Sequence, residues 1–119
     1  MKISAAIITL NEEQNLPRAL ESLAGAVDET VVVDSGSTDA TRAIAEAAGA
    51  RFIAHEWEGY ARQKNFAATA AAHDWVLSLD ADEALTPELR AEIQQLRNAG
   101  ESGMAGYSMP RLAHYCGQW

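Results

Sequence analysis

The chain has 119 residues, of which 48% are hydrophobic and 22% are charged, and its formal net charge is −8. This composition predicts one globular domain with a modest core. The acidic balance argues against nucleic acid as a partner, because proteins that bind a phosphate backbone carry Lys and Arg in excess. The single cysteine, Cys116, excludes an internal disulfide and a zinc cage built from thiolates.

The amino terminus lacks the pattern of a secretory signal, because Met1 and Lys2 lead directly into a short strand-like run that ends at Asn11. No stretch approaches the roughly 20 apolar residues of a membrane span. We therefore expect a soluble cytoplasmic protein. A peripheral contact with the inner face of the cytoplasmic membrane is compatible with this composition.

The first predicted strand and helix form the opening unit of the chain. The run from Ile3 to Leu10 is apolar and partly β-branched, which is typical of a buried strand. Asn15 is expected to cap the following helix, and Pro17 is tolerated in its first turn. One apolar stripe should pack this helix on a sheet, and it consists of Leu16, Leu20 and Leu23.

A second strand at residues 30–33, a second helix and a third strand at residues 51–55 follow. Ser37 or Thr38 is expected to cap the second helix, and Gly49 to end it. We expect four apolar side chains to form the buried face of this helix, namely Ala40, Ile44, Ala47 and Ala48.

The second half of the chain continues the alternation of strand and helix. A helix is predicted from Tyr60 to Ala72, a fourth strand from residue 75 to 79, and a helix that begins at Thr86-Pro87 and ends at Gly100. A weaker strand is predicted at residues 106–111. Since every connection is long enough for a right-handed crossover, we predict a mainly parallel α/β sheet with helices on both faces.

Polar side chains collect at the carboxyl ends of the predicted strands, where open parallel sheets bind ligands. They form four groups: Thr9, Asn11 and Glu13; Asp34 and Ser35; His55 and Glu56; Asp80 and Asp82. Clustered carboxylates repel one another unless a ligand or a cation relieves them. The pattern therefore indicates a binding site along this edge.

Asp80 and Asp82 are the candidate metal ligands, because they are one residue apart after a buried apolar strand. Hard cations such as Mg²⁺ or Mn²⁺ prefer such oxygen ligands and often keep substrate phosphates in their shell. An ordinary acidic turn is the alternative for this pair, and a helix cap is the alternative for Asp34.

Several other chemistries lack their residues in this sequence. The loop from Asp34 to Ser37 has neither the Rossmann nor the Walker glycine spacing. Phosphotransfer hydrolases with a nucleophilic aspartate place their Asp-x-Asp after the first strand, whereas here it follows the fourth. The three histidines, His55, His73 and His114, lack ligand spacing.

Three blocks of the sequence resemble the inverting family 2 glycosyltransferases. They are Ile7-Ile8-Thr9-Leu10-Asn11-Glu12-Glu13, Val31-Val32-Val33-Asp34-Ser35-Gly36-Ser37-Thr38-Asp39 and Leu79-Asp80-Ala81-Asp82-Glu83, with Gln63-Lys64-Asn65 as a fourth block in the expected gap. Asp34-Ser35-Gly36-Ser37 and Gly59-Tyr60 make the chain similar to lipopolysaccharide-core β-glucosyltransferases, which serve cell-envelope biosynthesis. The resemblance implies a Rossmann-like GT-A fold.

The resemblance also implies a nucleoside-diphosphate sugar donor, with uridine preferred. Asp34 would accept a hydrogen bond from the base, Asp80 would face the ribose or the metal shell, and Asp82 would bind Mg²⁺ or Mn²⁺. Lys64 would add a cation near the phosphates, with a solvated helix surface as its alternative. The full nucleotide-sugar site implied in this way consists of Thr9, Asn11, Glu13, Asp34, Ser35, Lys64 and Asp80.

The acceptor half of the family is expected to lie outside this chain. Residues 1–105 would form the nucleotide-sugar-binding domain and residues 106–119 the start of the acceptor-binding part. The acceptor would be a saccharide or a lipid-linked saccharide, and the general base that activates it would lie beyond Trp119. If the rest of the acceptor part does not cover them, the apolar and aromatic residues of this tail are expected to drive self-association; they are Tyr107, Met109, Tyr115 and Trp119.

Two alternatives remain open at this point. A non-catalytic nucleotide-sugar-binding module would keep the same donor residues. A nucleotidyltransferase of similar topology would carry a glycine-rich basic loop after the first strand, but here that position holds the acidic Asn11-Glu12-Glu13.

Overall fold

The computed structural model of the chain describes residues 2–73 and 75–103. Strands and helices alternate through these ranges, as the sequence predicts. The elements are β1 (Ile3–Thr9), α1 (Leu16–Leu23), β2 (Glu29–Asp34), α2 (Thr41–Ala47), β3 (Arg51–Ala54), α3 (Tyr60–Ala70), β4 (Trp75–Asp80) and α4 (Pro87–Gly103). The predicted strand at residues 106–111, the aromatic tail and the predicted domain boundary at residue 105 lie outside the described residues.

The four strands form one parallel sheet in the order β3-β2-β1-β4. The prediction of a parallel sheet is therefore confirmed. The register places Thr9 of β1 opposite Asp34 of β2, and Ile8 of β1 opposite Asp80 of β4. The carboxyl ends of the three strands thus meet at one edge, and the polar residues that follow them are brought together there.

Helices cover both faces of the sheet, which confirms that part of the prediction. On one face, Ile7 of β1 and Leu79 of β4 pack in a core with α1, α2 and α4. On the other face, Val31 and Val33 of β2 pack against Ala67 of α3. Leu79 is 1% exposed, and burial of such a side chain contributes about 1.5–3 kcal/mol. The core thereby fixes the position of Asp80, the next residue.

The predicted N-cap position of α1 is confirmed, but its side-chain cap bond is absent, and the predicted cap of α2 is wrong. Asn15 occupies the N-cap position of α1, but its side chain makes no cap bond. Its amide group donates to Glu12 Oε1 at 3.4 Å instead, and a backbone turn onto Glu12 starts the helix. At α2, the Asp39 carboxylate accepts the N–H of Thr41 at 2.9 Å. Ser37 is not free to cap this helix, because its hydroxyl bonds to Asp34.

The buried face of α2 also differs from the prediction. Thr41 and Ala45 are buried and Ile44 is partly buried, whereas Ala40, Ala47 and Ala48 are exposed. The polar Thr41 is buried because its hydroxyl donates to Asp39 and accepts the N–H of Glu12, so that no buried polar group is left unsatisfied.

Helix α4 does not end at Gly100 but continues to Gly103. A glycine inside a helix costs only about 1 kcal/mol relative to alanine, and tertiary contacts offset such a cost. Those contacts join α4 to the turn after α1: Arg90 donates to the carbonyl of Ala24, and Gln94 Nε2 donates to the carbonyl of Gly25 at 3.1 Å. Within the described ranges, none of the helices combines the length and apolar character needed to cross a bilayer.

Candidate functional site

A cleft of about 520 Å³ opens at the carboxyl ends of β1 and β4. Apolar and aromatic side chains form much of its wall, with a small number of polar groups among them, as in most small-molecule sites. It is lined by Ile8, Thr9, Leu10, Glu12, Ser35, Trp57, Tyr60, Asp80, Ala81 and Asp82. Of the residues predicted for the site, Thr9, Ser35, Asp80 and Asp82 therefore line the same cleft.

Asn11 joins the two loops that follow β1 and β2. Its backbone N–H donates to Ser37 Oγ at 2.7 Å, and its side-chain oxygen accepts the N–H of Thr38 at 2.9 Å. It adopts a φ of 53°, an uncommon conformation that Asn tolerates better than most residues. Glu13 adds a third link, because its N–H donates to Asp39 at 3.2 Å. Neither Asn11 nor Glu13 is among the described residues that line the cleft.

The Asp34 carboxylate lies behind the cleft wall and is 3% exposed. Four protein groups donate to it: the Thr9 hydroxyl at 2.7 Å, the N–H groups of Gly36 and Ser37 at 2.9 and 2.6 Å, and the Ser37 hydroxyl. Burial alone would raise the pKa of Asp34, but the hydrogen bonds from Ser37, Thr9 and Gly36 hold it below its ordinary value. Because a carboxylate has about four acceptor positions, these donors use its capacity.

Asp80 stands at the other side of the cleft with two donors on one oxygen. Tyr60 donates its hydroxyl to Asp80 Oδ1 at 2.8 Å, and the Lys64 ammonium lies 3.0 Å from the same oxygen. Burial lowers the pKa of Lys64, but the contact with Asp80 outweighs this effect and raises it. Lys64 is thus an ion-pair partner of Asp80 rather than a solvated helix cation.

In the turn after β4, the side chain of Asp82 lines the cleft, whereas that of Glu83 bonds to the backbone. The Asp82 side chain is exposed and lines the cleft, while its carbonyl accepts from Arg18 Nη2 at 3.0 Å. Glu83 folds back, so that its Oε1 accepts the N–H of Asp80 at 2.9 Å. Burial raises the pKa of Glu83; the bond to Asp80 lowers it, and the charges of Asp80 and Asp82 raise it again.

The acids of this turn carry the oxygen donors that a divalent metal ion prefers. Within the described residues, no three His, Cys, Asp or Glu side chains are arranged to hold a metal ion. Asp80 and Asp82 nonetheless supply carboxylate oxygens at an open cleft. Mg²⁺ and Mn²⁺ are commonly held by one or two carboxylates while substrate phosphates and water complete the shell. The donor set therefore fits a cation that binds together with a phosphorylated ligand.

The side chain of His55 packs against α3, where it contacts Gln63 and Phe66. Its Nδ1 lies 3.0 Å from Gln63 Oε1, and its ring stacks on Phe66 with 3.8 Å between centroids. Gln63 is fully buried and also donates to the carbonyl of His55 at 3.3 Å. These contacts tie the segment after β3 to α3, and they place Trp57 and Tyr60 at the cleft.

Six of the ten residues that line the cleft were not predicted for the site, and three of them have large side chains that are exposed. Leu10, Trp57 and Tyr60 are 55%, 51% and 52% exposed, and in the described ranges they are the large hydrophobic side chains that stay exposed. All three line the same cleft. A usable signal was the pair of aromatic residues on either side of Gly59, just before a helix start, since exposed apolar groups around a concave surface indicate a binding site.

The similarity of this chain to known proteins is extensive. Residues 4–111 match the family described as Glycosyl transferase family 2. The chain is 52% identical over 95 residues to an uncharacterized glycosyltransferase of Rickettsia felis, a match that covers 80% of this chain and 34% of the relative. It is 39% identical over 122 residues to the lipopolysaccharide core biosynthesis glycosyltransferase LpsC of Rhizobium meliloti, covering 98% of this chain and 44% of LpsC.

The fold is also similar to solved structures. The crystal structure of glucosyl-3-phosphoglycerate synthase from Mycobacterium tuberculosis with UDP superimposes with a TM-score of 0.61 at 31% identity, covering 68% of this chain and 34% of that chain. A complex of the same enzyme with Mn²⁺, UDP and glucosyl-3-phosphoglycerate gives a TM-score of 0.65 at 27% identity, covering 84% and 40%.

The parallel sheet with helices on both faces is the GT-A fold of nucleotide-sugar glycosyltransferases. The chain belongs to glycosyltransferase family 2. It spans about a third of the length of the first curated relatives that it matches.

Proposed function

We propose that the chain supplies the donor-binding part of a glycosyltransferase that moves a sugar from a UDP-sugar to a saccharide or lipopolysaccharide-core acceptor. The observation that carries this proposal is the cleft in which Thr9, Ser35, Asp80 and Asp82 meet. The UDP complex of the mycobacterial synthase and the lipopolysaccharide role of LpsC support the choice of donor and acceptor class.

The nucleoside would lie along the β1 side of the cleft. Thr9 and Ser35 line this wall, and the apolar side chains of Ile8 and Leu10 lie beside them. Asn11, Glu13 and Asp34 would act one step behind the ligand, because they join the loops that carry the wall. A base N–H would be a fifth donor to Asp34, so this residue would recognise the base directly only after one of its protein donors has left.

The diphosphate would lie between the β4 acids and Lys64. Asp82 and Asp80 would hold a Mg²⁺ or Mn²⁺ ion through their carboxylate oxygens. Such an ion, when bound, supplies Lewis-acid stabilisation of the departing nucleoside diphosphate. Lys64 would add a second positive charge at the same wall, and Tyr60 and Trp57 would limit the access of water.

Inverting transfer would require a general base for the acceptor hydroxyl. Glu83 is held by the N–H of Asp80, and Glu56 does not belong to the described residues that line the cleft. Neither acid is therefore assigned that role. The proposed contribution of residues 2–103 is donor binding and stabilisation of the leaving group.

Calorimetric titration with UDP, GDP and ADP, each with Mn²⁺, with Mg²⁺ and with EDTA, tests the proposal directly. We expect UDP to bind most tightly and to need the divalent ion. Inorganic diphosphate serves as the control for charge alone. Equal affinities for the three nucleotides would contradict the uridine assignment, and equal affinity in EDTA would contradict the metal assignment.

A further inference from the structure

We propose that Tyr60 is a positioning residue of the donor site, which holds the Asp80 carboxylate and the Lys64 ammonium in one arrangement through its hydroxyl and its ring. The inference rests on the proposed function, because it assigns Tyr60 a task in the binding of the nucleoside diphosphate. The residue acts through Asp80 and Lys64 and is given no contact with the reacting atoms.

The start of α3 brings Tyr60 and Lys64 to Asp80 together. Gly59 has a φ of 107°, which residues other than glycine rarely adopt. The turn at this residue lets the helix begin at Tyr60. Residues four apart lie on one side of a helix, so Lys64 follows Tyr60 on the same face. Both side chains then reach the end of β4.

The two donors to the Asp80 carboxylate contact only one of its two oxygens in the described contacts. The Tyr60 hydroxyl at 2.8 Å and the Lys64 ammonium at 3.0 Å both contact Oδ1. Both contacts therefore fall on the same carboxylate oxygen. Since a carboxylate oxygen accepts about two hydrogen bonds, Oδ1 is filled and Oδ2 is the oxygen that remains for a ligand.

The Tyr60 ring adds a second restraint on Lys64. The Lys64 Nζ atom lies 4.7 Å from the ring centroid, a distance at which the negative face of the ring attracts a cation. The Trp57 ring packs edge-on against the Tyr60 ring, with 6.3 Å between their centroids. A long lysine side chain, which is otherwise mobile, is thereby fixed beside the position proposed for the diphosphate.

A role in the core does not explain Tyr60. The residue is 52% exposed, whereas side chains that stabilise the core are buried, as Ala67 is on the same helix at 1%. Its contacts are instead with Asp80 and Trp57, which line the cleft, and with Lys64, which pairs with Asp80. Removal of the hydroxyl alone should therefore alter the site while the fold stays intact.

The arrangement itself can be tested without any ligand, because Lys2 and Lys64 are the two lysines of the sequence. Lysine labelled with ¹³C at Cε gives one signal for each, and the exposed Lys2 is an internal reference. We expect the Lys64 signal to move toward that of Lys2 in Tyr60→Phe and in Asp80→Asn. Thr69→Ala removes a hydroxyl from the same helix away from the cleft and should leave the signal in place. An unmoved Lys64 signal in Tyr60→Phe would overturn the proposal.

Calorimetry with UDP and Mn²⁺ tests the consequence for binding. We expect Tyr60→Phe to weaken the affinity about 3- to 10-fold, the equivalent of one partly exposed hydrogen bond to a charged group. We expect its Tm to equal that of the unsubstituted chain. Once Asp80 is replaced by Asn, the addition of Tyr60→Phe should weaken binding no further, because the residue acts through that carboxylate.

The outcomes separate this inference from the proposed function. Unchanged affinity in Tyr60→Phe, or additive losses in the double variant, would refute the positioning role even though UDP binds. Absence of UDP binding by the unsubstituted chain would refute the proposed function, and the Lys64 signal would then decide the inference alone. A parallel fall in Tm and affinity would reveal a merely structural role and would also refute it.

Discussion

The hydroxyl of Thr9 donates to the carboxylate of Asp34 at 2.7 Å, across two strands that pair in parallel register. Thr9 lines the cleft and Asp34 lies behind it. This pair therefore connects the surface that a ligand would touch to the loop that Asp34 holds through Gly36 and Ser37. The shape of the cleft on its β1 side depends on a carboxylate that a ligand need not contact.

The first prediction concerns Asp34→Ala. We expect this change to lower the free energy of unfolding by about 2–3 kcal/mol, because it leaves buried donors without a partner. We also expect weaker UDP binding, since the loop that carries Ser35 loses its anchor. Urea denaturation and UDP titration of the same variant measure the two effects.

Asp34→Asn is the matched variant, because it keeps the size of the side chain and one acceptor oxygen. It should lose less stability than Asp34→Ala. Full stability of Asp34→Ala with strongly reduced UDP affinity would instead favour direct recognition of the base by Asp34.

The second prediction concerns Asp82→Asn. The carboxylate is exposed and owes little to the core, so the Tm should stay the same or rise slightly as repulsion with Asp80 and Glu83 is relieved. Mn²⁺-dependent UDP affinity should fall at least tenfold, the loss expected for about 1.4 kcal/mol of binding free energy. Glu21→Gln, an exposed acid at the far end of α1, is the control. Undiminished metal-dependent affinity in Asp82→Asn would rule out its role as a ligand.

The third prediction compares two glycines with positive φ. Gly59 has a φ of 107° and Gly49 a φ of 81°, and a Cβ atom would meet nothing within 4 Å at either position. Substitution by alanine should therefore cost only backbone strain, about 1–2 kcal/mol in each case. Gly59→Ala should also weaken UDP binding because it shifts the start of α3, whereas Gly49→Ala should not. Equal UDP affinities of the two variants would contradict the role of the Gly59 turn.

The fourth prediction concerns the effect of pH on Glu83. Burial raises the pKa of its carboxyl group above the ordinary value, despite the hydrogen bond from Asp80. The folded state thus keeps a proton that the unfolded chain has already lost, and stability falls as pH rises from about 4 through the folded pKa. Glu83→Gln should therefore raise the Tm at pH 7 and leave it nearly unchanged at pH 3, as measured by calorimetry. The same increase at both pH values would exclude ionisation as the cause.

The sequence predicted the order of the elements because apolar runs and helix stripes are local patterns. Ile3 to Leu10 and Trp75 to Leu79 differ from the observed strands by single residues at one end. The position of the cap at Asn15 was predicted correctly, but its side chain bonds to Glu12 and a backbone turn starts the helix instead. The cap at Ser37 was wrong, because its hydroxyl bonds to Asp34. The predicted end of α4 at Gly100 was wrong, because contacts from α4 to the turn after α1 outweigh the tendency of glycine to end a helix.

The sequence predicted the strand-end residues of the candidate site but not the contribution of α3. Strand ends are fixed by the topology, so the meeting of Thr9, Ser35, Asp80 and Asp82 follows once the sheet is parallel. The contribution of Tyr60 could not be read from the sequence, since it depends on the direction in which α3 crosses the sheet. That direction is set by His55, Gln63 and the Gly59 turn, which have no simple pattern in the sequence.

The strand order has a consequence for the way in which the site assembles. In the sheet, β1 lies between β2 and β4. Only helix α1 separates β1 from β2 in the chain, whereas three helices and two strands separate β1 from β4. Closing the longer loop costs more chain entropy, so we expect the Thr9–Asp34 side to form first. Pulsed hydrogen exchange during refolding should then protect β2 amides before those of β4. Until β4 docks, a newly made chain would expose the apolar edge of its central strand to any other chain nearby.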